Sequence, residues 1–224
     1  MPEKSYAVIF DMDGVLIDSE PAWKKAEKEV FTAVGVNVLP ELSETTASMT
    51  TTQVTRFWYD RQPWNGKSLL QVEHEVIDRV GHFIIREGKP IPGIREVLEL
   101  FRKKGFKIGL STNSPARLIP LVLEKTEITD YFHAVSSSEH EKEGKPHPSV
   151  YLSTAKKLGI PSANCIVFED SVHGVMAAKN AGMKTVAIPS EADYPRKGFD
   201  LADLKLQKLA DFNQEYLDLL LNGN

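Results

Sequence analysis

Cysteine is nearly missing from this chain of 224 residues, and its single thiol, Cys165, excludes a disulfide within the chain. Lying in the apolar run Ala163 to Phe168, it reads as a small core residue. Apolar runs of membrane-spanning length are missing too. Only Lys4 precedes the short apolar stretch Tyr6 to Phe10, which is too brief for a signal-peptide core. A cytoplasmic protein with no membrane partner is expected. There is no excess of positive charge: the net charge is −4, with Lys and Arg dispersed, so neither a nucleic acid nor an anionic membrane is the expected partner. The chain also lacks a Walker-type loop and a Gly-x-Gly-x-x-Gly string, which disfavours nucleotide binding. No internal repeat, low-complexity tract or long linker stands out, and a monomer is expected.

At this length the chain fits one domain with an insertion, or two small domains, and can bury a real core. Short apolar runs occur at Tyr6 to Phe10, Lys107 to Leu110, Ala134 to Ser136, Cys165 to Phe168 and Thr185 to Ile188. Between the later runs lie amphipathic stretches, Ile94 to Lys104, Pro115 to Lys125, Ser149 to Leu158 and Val172 to Ala181, with Gly105, Gly159 and Gly182 just past three of them. Strands alternating with helices predict an α/β fold built on a parallel sheet.

Residues 19–87 break that rhythm. They carry helical stripes, Ala22, Ala26, Val30 and Phe31 in one and Leu69, Val72, Val76, Val80 and Phe83 in another, but no convincing strand. A helical cap over 19–87, inserted into a core of 1–18 and 88–224, is therefore expected; Pro90, Pro92 and Gly93 mark the return to the core.

The polar residues that carry chemistry each follow a predicted strand, which in a parallel sheet gathers them at one edge. Asp11-Met12-Asp13-Gly14 ends the first run with two carboxylates that invite a cation. Such a string also occurs in polar turns and calcium loops, but a calcium loop needs further acids where Val15, Leu16 and Ile17 stand. Thr112-Asn113-Ser114 offers a hydroxyl, an amide and helix-start donors suited to phosphate, although alone it reads as a plain cap for a helix opening at Pro115. Lys145 lies in the proline-stiffened Gly144-Lys145-Pro146-His147-Pro148, and Glu169-Asp170-Ser171 follows the fourth run. His140 and His147 suggest a metal pair by eye, but neither helical spacing nor a third ligand supports one.

Taken in order, Asp11-Met12-Asp13-Gly14, Thr112-Asn113, Lys145-Pro146 and Glu169-Asp170-Ser171 resemble the four motifs of the haloacid dehalogenase superfamily, and the resemblance covers essentially the whole chain. The segments Leu16 to Pro21 and Phe57 to Gly66 are also similar to the bacterial hexitol and 2-deoxyglucose-6-phosphate phosphatase branch. The resemblance implies a Rossmann-like core with a helical cap, Mg²⁺, and a phosphatase that hydrolyses a small phosphorylated sugar or polyol, a hexose or hexitol phosphate, through an aspartyl phosphate. Asp11 is then the nucleophile, Asp13 the general acid and base, and Lys145 the charge that neutralises Asp11 and the phosphoryl oxygens. Thr112 and Asn113 donate to phosphate. Asp11, the main-chain carbonyl of Asp13 and Asp170 hold Mg²⁺, with Glu169 as a further ligand or its support. Glu20, Trp23, Trp58, Tyr59 and Trp64 are the cap residues suited to contact a sugar, although residues such as Trp58 and Tyr59 on a helix are more often cap core than ligand contacts.

A phosphosugar mutase of the β-phosphoglucomutase type is the alternative reading, as is a phosphatase of another small metabolite such as phosphoglycolate. Related enzymes, some phosphatases among them, carry Gly-x-Arg in the cap where this chain has Ser48-Met49-Thr50, and the mutases a histidine where spacing puts Trp23. Both departures disfavour the mutase. A non-catalytic protein on the same fold is disfavoured by the intact Asp11, Asp13, Lys145 and Asp170.

Overall fold

A computed structural model of the chain describes residues 5–39, 42–46 and 49–222. It divides into two compact units, Met1–Asp18 with Pro90–Asn224, and Ser19–Lys89. Among the described residues no helix is long and apolar enough to cross a membrane.

The larger unit is built on a six-stranded parallel sheet. Its strands are β1 (Ala7–Phe10), β2 (Lys107–Thr112), β3 (Ala134–Ser137), β4 (Cys165–Glu169), β5 (Lys184–Ala187) and β6 (Leu204–Lys205), in the spatial order β3-β2-β1-β4-β5-β6. In β1 all four residues are fully buried, because a central parallel strand is covered on both faces and has no polar side to show. The two-residue period then sorts its side chains. Ala7 and Ile9 join a cluster with Val150, Tyr151, Cys165, Val167, Ala177 and Met183. Phe10 instead stacks on Phe168 at 4.9 Å between ring centres and meets Phe101 edge-on at 6.2 Å. Register aligns Phe10, the last residue of β1, with Leu110 on one side and Phe168 on the other, so β2 runs on by two residues and β4 by one beside the point where β1 ends. Their carboxyl ends straddle the point where strand order reverses, the place where open α/β sheets bind ligands.

The connecting helices are α4 (Ile94–Lys103), α5 (Leu118–Lys125), α6 (Ser149–Leu158) and α7 (Val172–Asn180), and α8 (Gln214–Asn222) closes the described chain. Helix α5 starts at Leu118 rather than at the expected Pro115. The intervening residues bond at shorter range, Leu118 N–H to the Pro115 carbonyl at 3.0 Å and Ile119 N–H to that of Ala116 at 3.2 Å, and Glu139 accepts from Ala116 N–H at 2.8 Å. Strand β2 runs on through Thr112, two residues past its expected end, and β5 sits one residue earlier than its apolar run suggested. Both β6 and α8 go beyond the elements read from the sequence.

The smaller unit is helical: α1 (Glu20–Ala33), α2 (Thr51–Arg61) and α3 (Leu69–Glu87). Capping boxes fix the starts of α2 and α3, with Thr50 and Gln53 paired reciprocally in one and Ser68 and Gln71 in the other. The α3 stripe buries Val72, Val76, Val80 and Phe83, while Leu69 is half-buried. Around Phe31 gather Trp58 and Trp64, each 6.2 Å away between ring centres. The core reading of Trp58 is the one observed, and Trp64, a candidate sugar contact, is core as well. Both are almost wholly buried, and the Trp64 indole donates to the Lys67 carbonyl at 3.2 Å, so they form the core of their own unit. Tyr59 is half-buried with its ring edge-on to Trp64 at 4.9 Å.

Candidate active site

Asp11 leaves β1 as the strand ends, its N–H still continuing the ladder to the Phe168 carbonyl at 3.0 Å. The chain then curls tightly: Gly14 N–H bonds the Ile17 carbonyl at 2.9 Å and Leu16 N–H the Met12 carbonyl at 2.9 Å. Gly14 has φ +73°, and a Cβ there would come within 1.9 Å of Asp170 Oδ2. Only glycine satisfies both the left-handed backbone and the close approach of a carboxylate. Gly14→Ala is expected to destabilise the fold by more than ~1 kcal/mol and to displace Asp170; a denaturant midpoint equal to wild type would contradict this.

Lys145 joins the ends of three strands. Its buried ammonium donates to Asp11 Oδ1 at 2.6 Å, to Glu169 Oε1 at 2.6 Å and to the Ser111 carbonyl at 3.1 Å. Asn113 anchors its loop by accepting the Lys145 N–H at 2.9 Å through Oδ1. Asn113 is therefore already engaged as an acceptor, with its amide nitrogen left as the donor end of the side chain. The Thr112 hydroxyl oxygen accepts the Ser114 N–H at 2.9 Å, and the Ser114 hydroxyl donates to Asp13 Oδ2 at 2.6 Å. The expected helix-start donors at Asn113 and Ser114 are absent, because α5 opens further along; a tight turn holds these residues instead. That turn is itself pinned by the Ser137 hydroxyl on the Ser114 carbonyl at 2.6 Å and the Ser138 hydroxyl on the Asn113 carbonyl at 3.2 Å.

Asp11, Glu169 and Asp170 each bring a carboxylate oxygen within 4.8 Å of the others, an arrangement able to hold a metal ion. An all-oxygen donor set suits a hard divalent cation. Electrostatics point the same way. Burial pushes Asp11 up to about 8, against the pull of Lys145 and with Glu169 and Asp13 adding to the rise. Burial, then Asp11 and Glu169, carry Asp170 well above the carboxylate range. Burial alone would lower the Lys145 ammonium, yet Asp11 and Glu169 beside it hold it above its ordinary value. One ammonium is too little positive charge for these carboxylates, and a bound cation would offset the deficit. His140 and His147 take no part: both are exposed, and His147 Nδ1 lies 2.6 Å from the Ser149 hydroxyl.

The family described as haloacid dehalogenase-like hydrolase matches residues 8–188, a span that includes every strand-end group above. The chain is a haloacid dehalogenase-like hydrolase. It is 39% identical to hexitol phosphatase B of Escherichia coli strain K12 over 96% of this chain and 98% of that protein. It is 28% identical to the β-phosphoglucomutase of Bacillus subtilis over 94% of this chain and 96% of that one. In structure it matches the β-phosphoglucomutase of Clostridium difficile with a TM-score of 0.84 over 97% of both chains, at 23% identity, a likeness of fold.

Sequence reasoning missed two members of this dehalogenase-like site. Ser114 was read as part of a phosphate-binding turn rather than as a partner of Asp13, and Tyr151, whose hydroxyl donates to Glu169, was not read as a site residue at all. Of the expected residues on the helical unit, Glu20 is exposed and paired with Lys24 at 2.5 Å, while Trp23 is half-buried on α1.

Proposed function

We propose that this hydrolase is a Mg²⁺-dependent phosphatase that removes phosphate from a small phosphorylated sugar or polyol, a hexose or hexitol monophosphate, through an aspartyl phosphate on Asp11. The observation that carries the reading is the pairing of Asp11 with a buried Lys145 while the neighbouring carboxylate, Asp13, is held separately by Ser114. Two acids one residue apart thus have different surroundings, as a nucleophile and an acid–base group require. In the proposed mechanism Asp11 attacks phosphorus, with Lys145 balancing charge on the nucleophile and on the phosphoryl oxygens. Asp13 gives a proton to the leaving alkoxide and then takes one from the water that cleaves the acyl phosphate. The hydroxyl of Thr112 and the amide nitrogen of Asn113 are the proposed donors to phosphate. Asp11 and Asp170, with the Asp13 carbonyl, are the proposed ligands of Mg²⁺, which when bound supplies charge neutralisation for the phosphoryl group.

The helical unit is the proposed source of selectivity, with Glu20 and Trp23 as the residues that discriminate among sugars. Neither belongs to the core of that unit, unlike Trp58 and Trp64. Trp23→Ala is expected to flatten the ranking of kcat/KM among hexose and hexitol phosphates while sparing an aryl phosphate, which needs only the strand-end groups. An unchanged ranking removes Trp23 from the account.

Mutase activity is the competing reading, since a β-phosphoglucomutase is among the relatives. A mutase must hold a second phosphate. Of the Ser48-Met49-Thr50 segment, Ser48 lies outside the described residues, and Thr50 accepts the Gln53 N–H as the cap of α2. Thr50 brings no positive charge. The experiment that separates the readings supplies glucose 1-phosphate with and without glucose 1,6-bisphosphate. The phosphatase reading expects no glucose 6-phosphate, and phosphate release from at least one hexose or hexitol monophosphate. Isomerised sugar formed as fast as phosphate would overturn it.

A further inference from the structure

Among the described residues, Glu169 is the one carboxylate of the metal-capable cluster whose hydrogen bonds use both of its oxygens. Oε1 accepts from the Lys145 ammonium at 2.6 Å and from the Tyr151 hydroxyl. Oε2 accepts from the Ser171 N–H at 3.2 Å and the Ser171 hydroxyl at 3.1 Å. Four donors on one carboxylate leave little lone-pair capacity for a cation. The surroundings are equally filled: Glu169 and Tyr151 are wholly buried, and a Cβ on Gly174 would come within 1.8 Å of Glu169 Oε1, so the carboxylate is seated in a space that only glycine leaves open. Tyr151 reaches Lys145 twice. Its hydroxyl shares an oxygen with the ammonium, and its ring centre lies 4.8 Å from Nζ, within cation–π range.

We propose that Tyr151 is a positioning residue: with Ser171 it commits Glu169 to holding the Lys145 ammonium against Asp11, so that Glu169 supports the lysine and the metal rests on Asp11 and Asp170. This deepens the phosphatase reading and rests on it for the roles of Asp11 and Lys145. Tyr151 is suited to the task because it sits on α6 and reaches β4 across the cluster it shares with Ile9 and Val167. A phenol packed in that cluster cannot swing away, whereas an ordered water in the same place could exchange. The ring keeps its packing in Tyr151→Phe, so that variant removes the hydroxyl alone.

The test compares wild type with Tyr151→Phe in three measurements: steady-state phosphate release from a hexitol monophosphate at saturating Mg²⁺, Mg²⁺ binding by isothermal titration, and the ¹⁵Nζ resonance of Lys145. A buried, triply bonded ammonium exchanges its protons with water slowly and is visible; a loosened one is not. The expected result is a kcat at least ~10-fold lower, the scale of one hydrogen bond to a charged acceptor, with substrate KM and Mg²⁺ affinity within ~2-fold of wild type and the Lys145 resonance lost. A loss of Mg²⁺ affinity in step with kcat would make Glu169 a metal ligand and overturn the proposal. An unchanged kcat or an unchanged Lys145 resonance would reduce Tyr151 to packing and overturn it as well. If the wild-type protein turns over no phosphate ester, the phosphatase reading fails, and the resonance with the Mg²⁺ titration still decides how Lys145 is held.

Discussion

Asp11→Asn is expected to lower phosphate release from a hexitol monophosphate by more than ~10³-fold, the scale seen when a nucleophile is removed. The amide matches the carboxylate in shape but cannot form an acyl phosphate. The fold should survive, because burial already pushes Asp11 up to about 8 and a neutral side chain escapes that penalty. Lys145 keeps Glu169 and the Ser111 carbonyl as partners in the variant. Circular dichroism and a melting curve close to wild type, together with the lost turnover, make up the expected outcome. Asp13→Asn should also fail, through proton transfer rather than bond formation, so it alone should retain some activity toward an aryl phosphate whose leaving group needs no acid. Near-wild-type phosphate release by a contamination-free Asp11→Asn preparation would remove the covalent mechanism.

Removing the metal has the second largest expected effect. Chelation with EDTA should abolish turnover, and Mg²⁺ should restore it, because Asp11, Asp170 and a phosphate monoester crowd negative charge around one ammonium. Calcium should inhibit: its looser and higher coordination lets it take both oxygens of Asp11 and withdraw the nucleophile. The same crowding predicts a stability effect separate from activity. Mg²⁺ bound only by the folded state should raise its stability by about 2.7 kcal/mol at a hundredfold excess over Kd, read as a shift of the denaturant midpoint. Full turnover in chelator, with bound metal excluded by elemental analysis, would contradict the assignment of Mg²⁺.

Asp11, Lys145, Glu169 and Asp170 were legible because each follows a buried apolar strand, or lies in a loop beside one, and parallel register brings such ends together without further information. The connections between them were not. The Ser114 hydroxyl meets an acid 101 positions away, and Tyr151 on helix α6 meets Glu169 at the end of strand β4, contacts set by tertiary packing that no local pattern carries. Residue type left Trp64 open, since an aromatic ring suits both a sugar face and a core; its packing on Phe31, shared with Trp58, decides for the core. The two-residue strand β6 is too short for any period to register, and α8 buries only Leu217 and Leu220, a weak stripe for its length. At the expected start of α5 the Thr112 hydroxyl oxygen accepts the Ser114 N–H two residues on, and the Ser114 hydroxyl goes to Asp13, so neither caps a helix there.

The central claim is that phosphate passes through a covalent bond to Asp11, and the most direct measurement is the mass of the peptide containing it after rapid acid quench. Wild-type protein mixed with Mg²⁺ and a hexitol monophosphate should carry one phosphoryl group on Asp11 within the first turnover, cleaved by hydroxylamine as an acyl phosphate is, and Asp11→Asn should carry none. Phosphate released in that turnover without any phosphoryl group on the protein, or with the group on another side chain, would contradict the account.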